Sequence, residues 1–183
     1  MQIPTSLTRS TTTILVPGIV ALTPWVLALV QHTSATLGFK DYPTIAHTIF
    51  LAAVIVVGTL CEGLGTFLEA SWDKGRESEF QVQENWYAYL ARCVDREPVG
   101  YRYLSRLVTA MYFELSMLFA VPSFVVGCAY LAYRRFPDNA PLWVAVGSIG
   151  VGVSVAFFGW QARATHGVIC ATRRELVQRM PAA

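Results

Sequence analysis

The sequence predicts an all-α polytopic membrane protein, with four transmembrane helices and a short cytoplasmic amphipathic helix between spans two and three. Three observations carry that expectation. Hydrophobic residues make up 54% of the 183 and charged residues only 14%, well short of the roughly 25% found in a soluble domain. Mean hydropathy is +0.45. Four separate stretches each supply the roughly 20 apolar residues a helix needs to cross a bilayer, and without water at that depth the backbone must satisfy itself as helix. The same figures exclude other classes. Four cysteines without a C-x-x-C pair do not build a disulfide scaffold, and a net charge of +2 is too small and dispersed for a nucleic-acid binder.

The first span, about 13–31, carries Pro17 and Pro24 seven residues apart on one face. Each removes a backbone donor, so a bent or locally loosened helix is expected. Its length and prolines argue against a cleaved signal peptide, whose apolar core is about 7–15 residues. The second span, about 44–67, starts behind Pro43, a residue suited to a helix start, and changes character at Cys61 and Glu62. In the segment about 74–105, Val82, Trp86, Tyr89 or Leu90, and Cys93 recur at helical spacing against Glu79, Gln83, Glu84 and Arg92. This is the pattern of an amphipathic helix lying at the cytoplasmic membrane surface or against its neighbours, with Trp86, Tyr87 and Tyr89 as the candidate interface or partner surface. Glu97, Pro98, Val99 and Gly100 supply a turn before the third span, about 106–133, which is long enough to tilt.

The fourth span, about 141–161, is rich in small residues. Its row of Ser148, Gly152 and Ala156 suits close helix packing, within one chain or between copies. Residues about 162–179 extend this helix on a loose stripe of Ala162, Val168, Ile169, Leu176 and Val177, with arginines meeting headgroups or water. The whole of 1–183 reads as one four-span domain. Among the 14 Lys and Arg, only Lys40, Arg134 and Arg135 fall on the sparse side. The positive-inside rule therefore places both termini and the middle segment in the cytoplasm, with a bacterial inner membrane as the expected location.

Ionisable residues inside a span are the default functional candidates. Gly58, Glu62, Gly65 or Thr66, Glu69 and Asp73 share one face of the second helix; Arg102, Arg106, Ala110, Glu114 and Met117 share one of the third. Matching the two antiparallel helices in depth brings Glu62 beside Glu114 and Glu69 beside Arg106. Two readings stay open: the glutamates hydrogen-bond or pair with arginine and hold the bundle together, or they form an acid pair that retains a proton or shares a cation, with an ion pair at the water edge. Two glutamates with a distant His166 lack the Glu-x-x-His grouping of di-metal bundles, so no metal, cofactor or catalytic residue is expected. His32 and His47 read as interfacial residues in preference to haem ligands, and Cys61, Cys93, Cys128 and Cys170 as free thiols.

The function this supports is an oligomeric, non-enzymatic membrane component of a multi-protein system, acting as sensor, anchor or pore-forming subunit. Its expected partners are the lipid bilayer, further copies of itself and a cytoplasmic protein, with no nucleic acid. Small four-span proteins of bacterial defence and envelope stress offer an analogy of class. An ion or proton conductor using Glu62 and Glu114 is the alternative. A membrane enzyme acting on lipids comes third, because it lacks the Asp-rich or His-rich motif such chemistry needs.

Overall fold

The computed structural model describes residues 11–33, 43–91 and 100–179, and all of their elements are helices. Helix α1 covers Val16–Thr33 and is preceded without a break by a π-helical turn, Thr11–Leu15. Pro17 has no N–H to offer the carbonyl one turn back, and the chain just ahead of it widens into the wider π spacing. The loosening expected from the prolines thus lies at the start of the helix. Pro17 and Pro24 are themselves fully buried.

Helix α2, Pro43–Phe80, has 38 residues, which at 1.5 Å per residue is about 57 Å, nearly twice the roughly 30 Å of hydrocarbon. It runs on as one helix well past the apolar stretch that ends near Phe67. Gln81 then adopts a left-handed φ of 46° and turns the chain into α3, Val82–Ala91. Two side chains satisfy backbone groups freed at this corner. Asn85 Nδ2 donates to the Phe80 carbonyl at 2.6 Å, and the Gln83 N–H donates to the Glu77 carboxylate at 3.2 Å. Val82 and Tyr89, two turns apart, are 5% and 3% exposed, so α3 lies back on the bundle through that face.

Gly100, at φ 94° where a side chain would be strained, leads into α4, Tyr101–Arg135. A 3-10 turn, Pro137–Asn139, joins it to the 40-residue α5, Ala140–Arg179. Helix α4 is the centre of the bundle, packed against α1, α2 and, most extensively, α5. One core cluster within the apolar half gathers Ala21, Cys61 and Ala120; the other, near the long ends of α2 and α5, gathers Tyr89, Leu104, Met111, Leu115, Ala162 and Ile169. Helices α1 and α2 approach backbone to backbone. A Cβ on Gly18 would overlap the Val54 carbonyl oxygen, and one on Gly58 the carbonyl oxygen of Ile14.

Large apolar side chains cover the outside of the spans, with Phe67 78%, Ile149 66% and Trp160 71% exposed. A patch on this scale is not left facing water. Helices α1, α2, α4 and α5 are long and apolar enough to cross a membrane. The row of Ser148, Gly152 and Ala156 belongs to this outer surface, and a Cβ on Gly152 would meet nothing within 4 Å. It is Gly147 and Ser154 that face inward. Gly152→Leu is therefore expected not to destabilise the protomer and, by replacing a mid-helix glycine, to stabilise it by about 0.5–1 kcal/mol, measured as thermal unfolding of the monomeric protein in detergent. A large loss would place that face inside the protomer.

Candidate functional site

The register of α2 against α4 decides which polar side chains meet. Gly65 sits against Leu115, to whose Cβ an added Cβ would come within 2.8 Å, and Glu69 hydrogen-bonds Tyr112. Compared with the expected pairing of Glu62 with Glu114, the helices are slipped by about one turn, or about 6 Å. The anticipated acid pair is accordingly replaced by two separate glutamates. Half-buried Glu62 accepts a hydrogen bond from Thr13 Oγ1, in the π-helical turn ahead of α1, at 3.3 Å. Glu114, 7% exposed, accepts one from Thr165 Oγ1 at 2.8 Å and also bonds Gln161, both on α5. Arg106 is exposed; the arginine whose charge acts on Glu69 is Arg173, on the same α5 face as His166 and Cys170. These are corrections to the paired-carboxylate and Glu69–Arg106 expectations. Their cause is the slip, which one-dimensional depth matching cannot see.

Glu114→Leu should cost about 1–2 kcal/mol by leaving the Thr165 hydroxyl without its acceptor, whereas Glu114→Gln, which keeps an acceptor oxygen, should cost less. Unfolding of the two variants side by side checks this, and equal losses would contradict it.

Beyond the apolar runs, the long ends of α2 and α5 meet with α3 and the start of α4 to form a polar basin. His166, only 2% exposed, bonds Asp73 through Nε2 at 2.7 Å. Cys170 Sγ stands 3.8 Å from that same nitrogen. Trp72 lies edge-on to the imidazole at 5.8 Å, and Arg173 sits over the Trp86 ring at 4.4 Å from its centre. A cavity of about 400 Å³ opens beside them, lined by Glu69, Asp73, Trp86, Tyr112 and Arg173 among others. Backbone carbonyls tie the two protrusions together. Arg76 donates to that of Arg163 at 3.4 Å and Arg174 to that of Glu79 at 3.5 Å. A larger groove of about 540 Å³ between the far ends of α4 and α5 is lined by Val126, Tyr130, Trp143 and neighbours, without carboxylate, imidazole or thiol.

His166 lies past the apolar run that ends at Trp160. Burial alone would disfavour its charged form, but the hydrogen bonds and charge supplied by Asp73 and Cys170 outweigh that and push its pKa up to about 9. A Cys–His–Asp triad uses one ring nitrogen toward the thiol and the other toward the carboxylate. Here both partners converge on Nε2, and Nδ1 is buried with no hydrogen-bond partner among the described residues.

Of the aromatic surface expected on α3, Trp86 and Tyr87 are 37% and 68% exposed, but Tyr89 is a core residue packed among Met111, Leu115 and Ile169. The correction follows from α3 folding back onto the bundle. His47 is exposed on α2, and the side chain of His32 lies outside the described set. Cys61, Cys128 and Cys170 are free, while Cys93 lies outside the described residues. Sequence reasoning missed Asp73, Tyr112, His166, Cys170 and Arg173 as one group. The usable signal was two one-turn pairs, Glu69 with Asp73 and His166 with Cys170, on helices long enough to leave the membrane together.

No protein-family model, curated protein or solved structure matches the chain.

Proposed function

We propose that the protein is an oligomeric, non-enzymatic integral membrane component of the inner membrane, working as a sensor or anchor. Its working part is the polar basin at the extended end, held on the cytoplasmic side. The carrying observation is that α2 and α5, at 38 and 40 residues, each outrun the bilayer and enclose with α3 and α4 a cavity of about 400 Å³ lined by Glu69, Asp73, Tyr112 and Arg173. The side of the membrane follows from the excess of Lys and Arg at this end, including Lys74, Arg76, Arg102, Arg106, Arg163, Arg173, Arg174 and Arg179. In this reading α3 is the surface-lying amphipathic element, and exposed Tyr87 and part-exposed Trp86 meet headgroups or a cytoplasmic protein. Copies associate through the outward row of Ser148, Gly152 and Ala156, whose small side chains let helices approach.

The conducting alternative loses ground because Glu62 and Glu114 turn to different neighbours. Reconstitution into liposomes tests the choice. The protein should add no proton or cation flux over empty liposomes, and native mass measurement in nanodiscs should find a defined oligomer that Gly152→Leu reduces to smaller species. Flux abolished by Glu62→Gln or Glu114→Gln would establish the conductor instead.

A further inference from the structure

We propose that Asp73, His166 and Cys170 bind one divalent transition-metal ion of the zinc class. The proposal names the ligand of the basin and so rests on reading that basin as a binding site. The Asp73 carboxylate, His166 Nε2 and Cys170 Sγ offer one donor atom each, all within 4.8 Å of one another. Around a tetrahedral ion with bonds near 2.0 Å to nitrogen and 2.3 Å to sulfur, nitrogen and sulfur stand about 3.6 Å apart, and the observed separation is 3.8 Å. The 2.7 Å between Nε2 and Asp73 Oδ1 is a hydrogen-bond distance. Admitting the ion means opening that contact by about 0.7 Å to the tetrahedral edge, a movement available to an Asp73 side chain that is 33% exposed.

The donor chemistry selects the ion. Thiolate, imidazole and carboxylate together suit zinc and its neighbours, whereas magnesium and calcium demand oxygen ligands throughout. The backbone supplies the rigidity. Asp73 stands on α2, while His166 and Cys170 are one turn apart on α5 and therefore share a face. Trp72 packs edge-on to the imidazole. Helices α2 and α5 have few direct packing contacts with each other, so an ion here adds a cross-link to the Arg76 and Arg174 hydrogen bonds that join the two protrusions. Three protein ligands leave a fourth position, and Asp73 and Glu69 both line the adjoining cavity. Such an open site keeps the ion in reach of water or an incoming ligand.

The test uses the full-length protein in nanodiscs, stripped with chelator and titrated with cobalt(II) chloride, then competed with zinc chloride. The expected result is one cobalt per chain, with the absorption of a cobalt–thiolate bond that zinc abolishes. Cys170→Ser should lose that absorption and His166→Asn should weaken binding by more than about 100-fold, the upper range for mere supporting residues. Cys61→Ser, in the apolar half, should leave both intact. Wild-type protein that takes up no cobalt, or takes it up without the thiolate signature, overturns the proposal even if the variants fail to fold. So does loss of the signal in Cys61→Ser. Oligomer mass is read on the same samples. A defined oligomer without metal removes the ion and leaves the proposed function standing, whereas metal binding by a monomer does the reverse.

Discussion

Gly58→Val is expected to abolish the folded bundle. At this position the α2 backbone lies against the Ile14 carbonyl oxygen, and Gly18 meets Val54 in the same way, so the contact is backbone on backbone from both sides. A side chain cannot rotate away from a carbonyl fixed inside a π turn. Overpacking of a core costs about 1–3 kcal/mol when side chains can adjust, and here they cannot, so the loss should exceed about 3 kcal/mol, a large part of the stability of an ordinary domain. Gly63→Val is the control. It lies on the same helix with nothing within 4 Å of an added Cβ, and its unfolding temperature should stay near that of the unaltered protein. Equal behaviour of the two variants in detergent would remove this contact from the account.

Asp73→Ala carries the second large effect. It leaves the His166 imidazole, 2% exposed, without the carboxylate that faces it at 2.7 Å. Breaking a fully buried pair costs about 3–5 kcal/mol; with Asp73 33% exposed and water able to replace part of the interaction, about 2–3 kcal/mol is expected here. Asp73→Asn keeps an acceptor oxygen for Nε2 and should recover about half of the loss. Both are measured with chelator present, so that the pair is read without an ion. An Asp73→Ala protein as stable as its parent would mean that the imidazole has no need of the carboxylate.

The spans were legible because their signal is one-dimensional. A run of apolar residues long enough to cross hydrocarbon permits only one kind of backbone, and Thr13 to Val30 or Pro141 to Trp160 need no neighbour to be recognised. Pro17 and Pro24 likewise announced a local departure, although not that it would take the form of a π turn at Thr11–Leu15. The polar site was not legible in the same way. Which side chains meet depends on the register between helices, and that is set by how closely two backbones approach. The seating of Gly65 on Leu115 moves the pairing by a turn and sends Glu69 to Tyr112. Tyr89 read as an anchoring aromatic because its spacing fits either a membrane surface or a core; the corner at Gln81, a non-glycine residue in left-handed conformation, is what folds it inward. His166 and Cys170 stood one turn apart in plain view, but Asp73 is 93 residues away in sequence, and no local pattern connects them.

The most direct test of the central claim, that the basin end of the bundle faces the cytoplasm, is labelling with a membrane-impermeant thiol reagent. Gly75→Cys places a thiol on the protruding part of α2, at an exposed position with open space around an added Cβ, and Asp138→Cys places one on the exposed turn at the opposite end. In intact cells Asp138→Cys should label above the background of the native cysteines and Gly75→Cys should not; in inverted membrane vesicles the pattern should reverse. Labelling of Gly75→Cys in intact cells would put the basin outside and contradict the account.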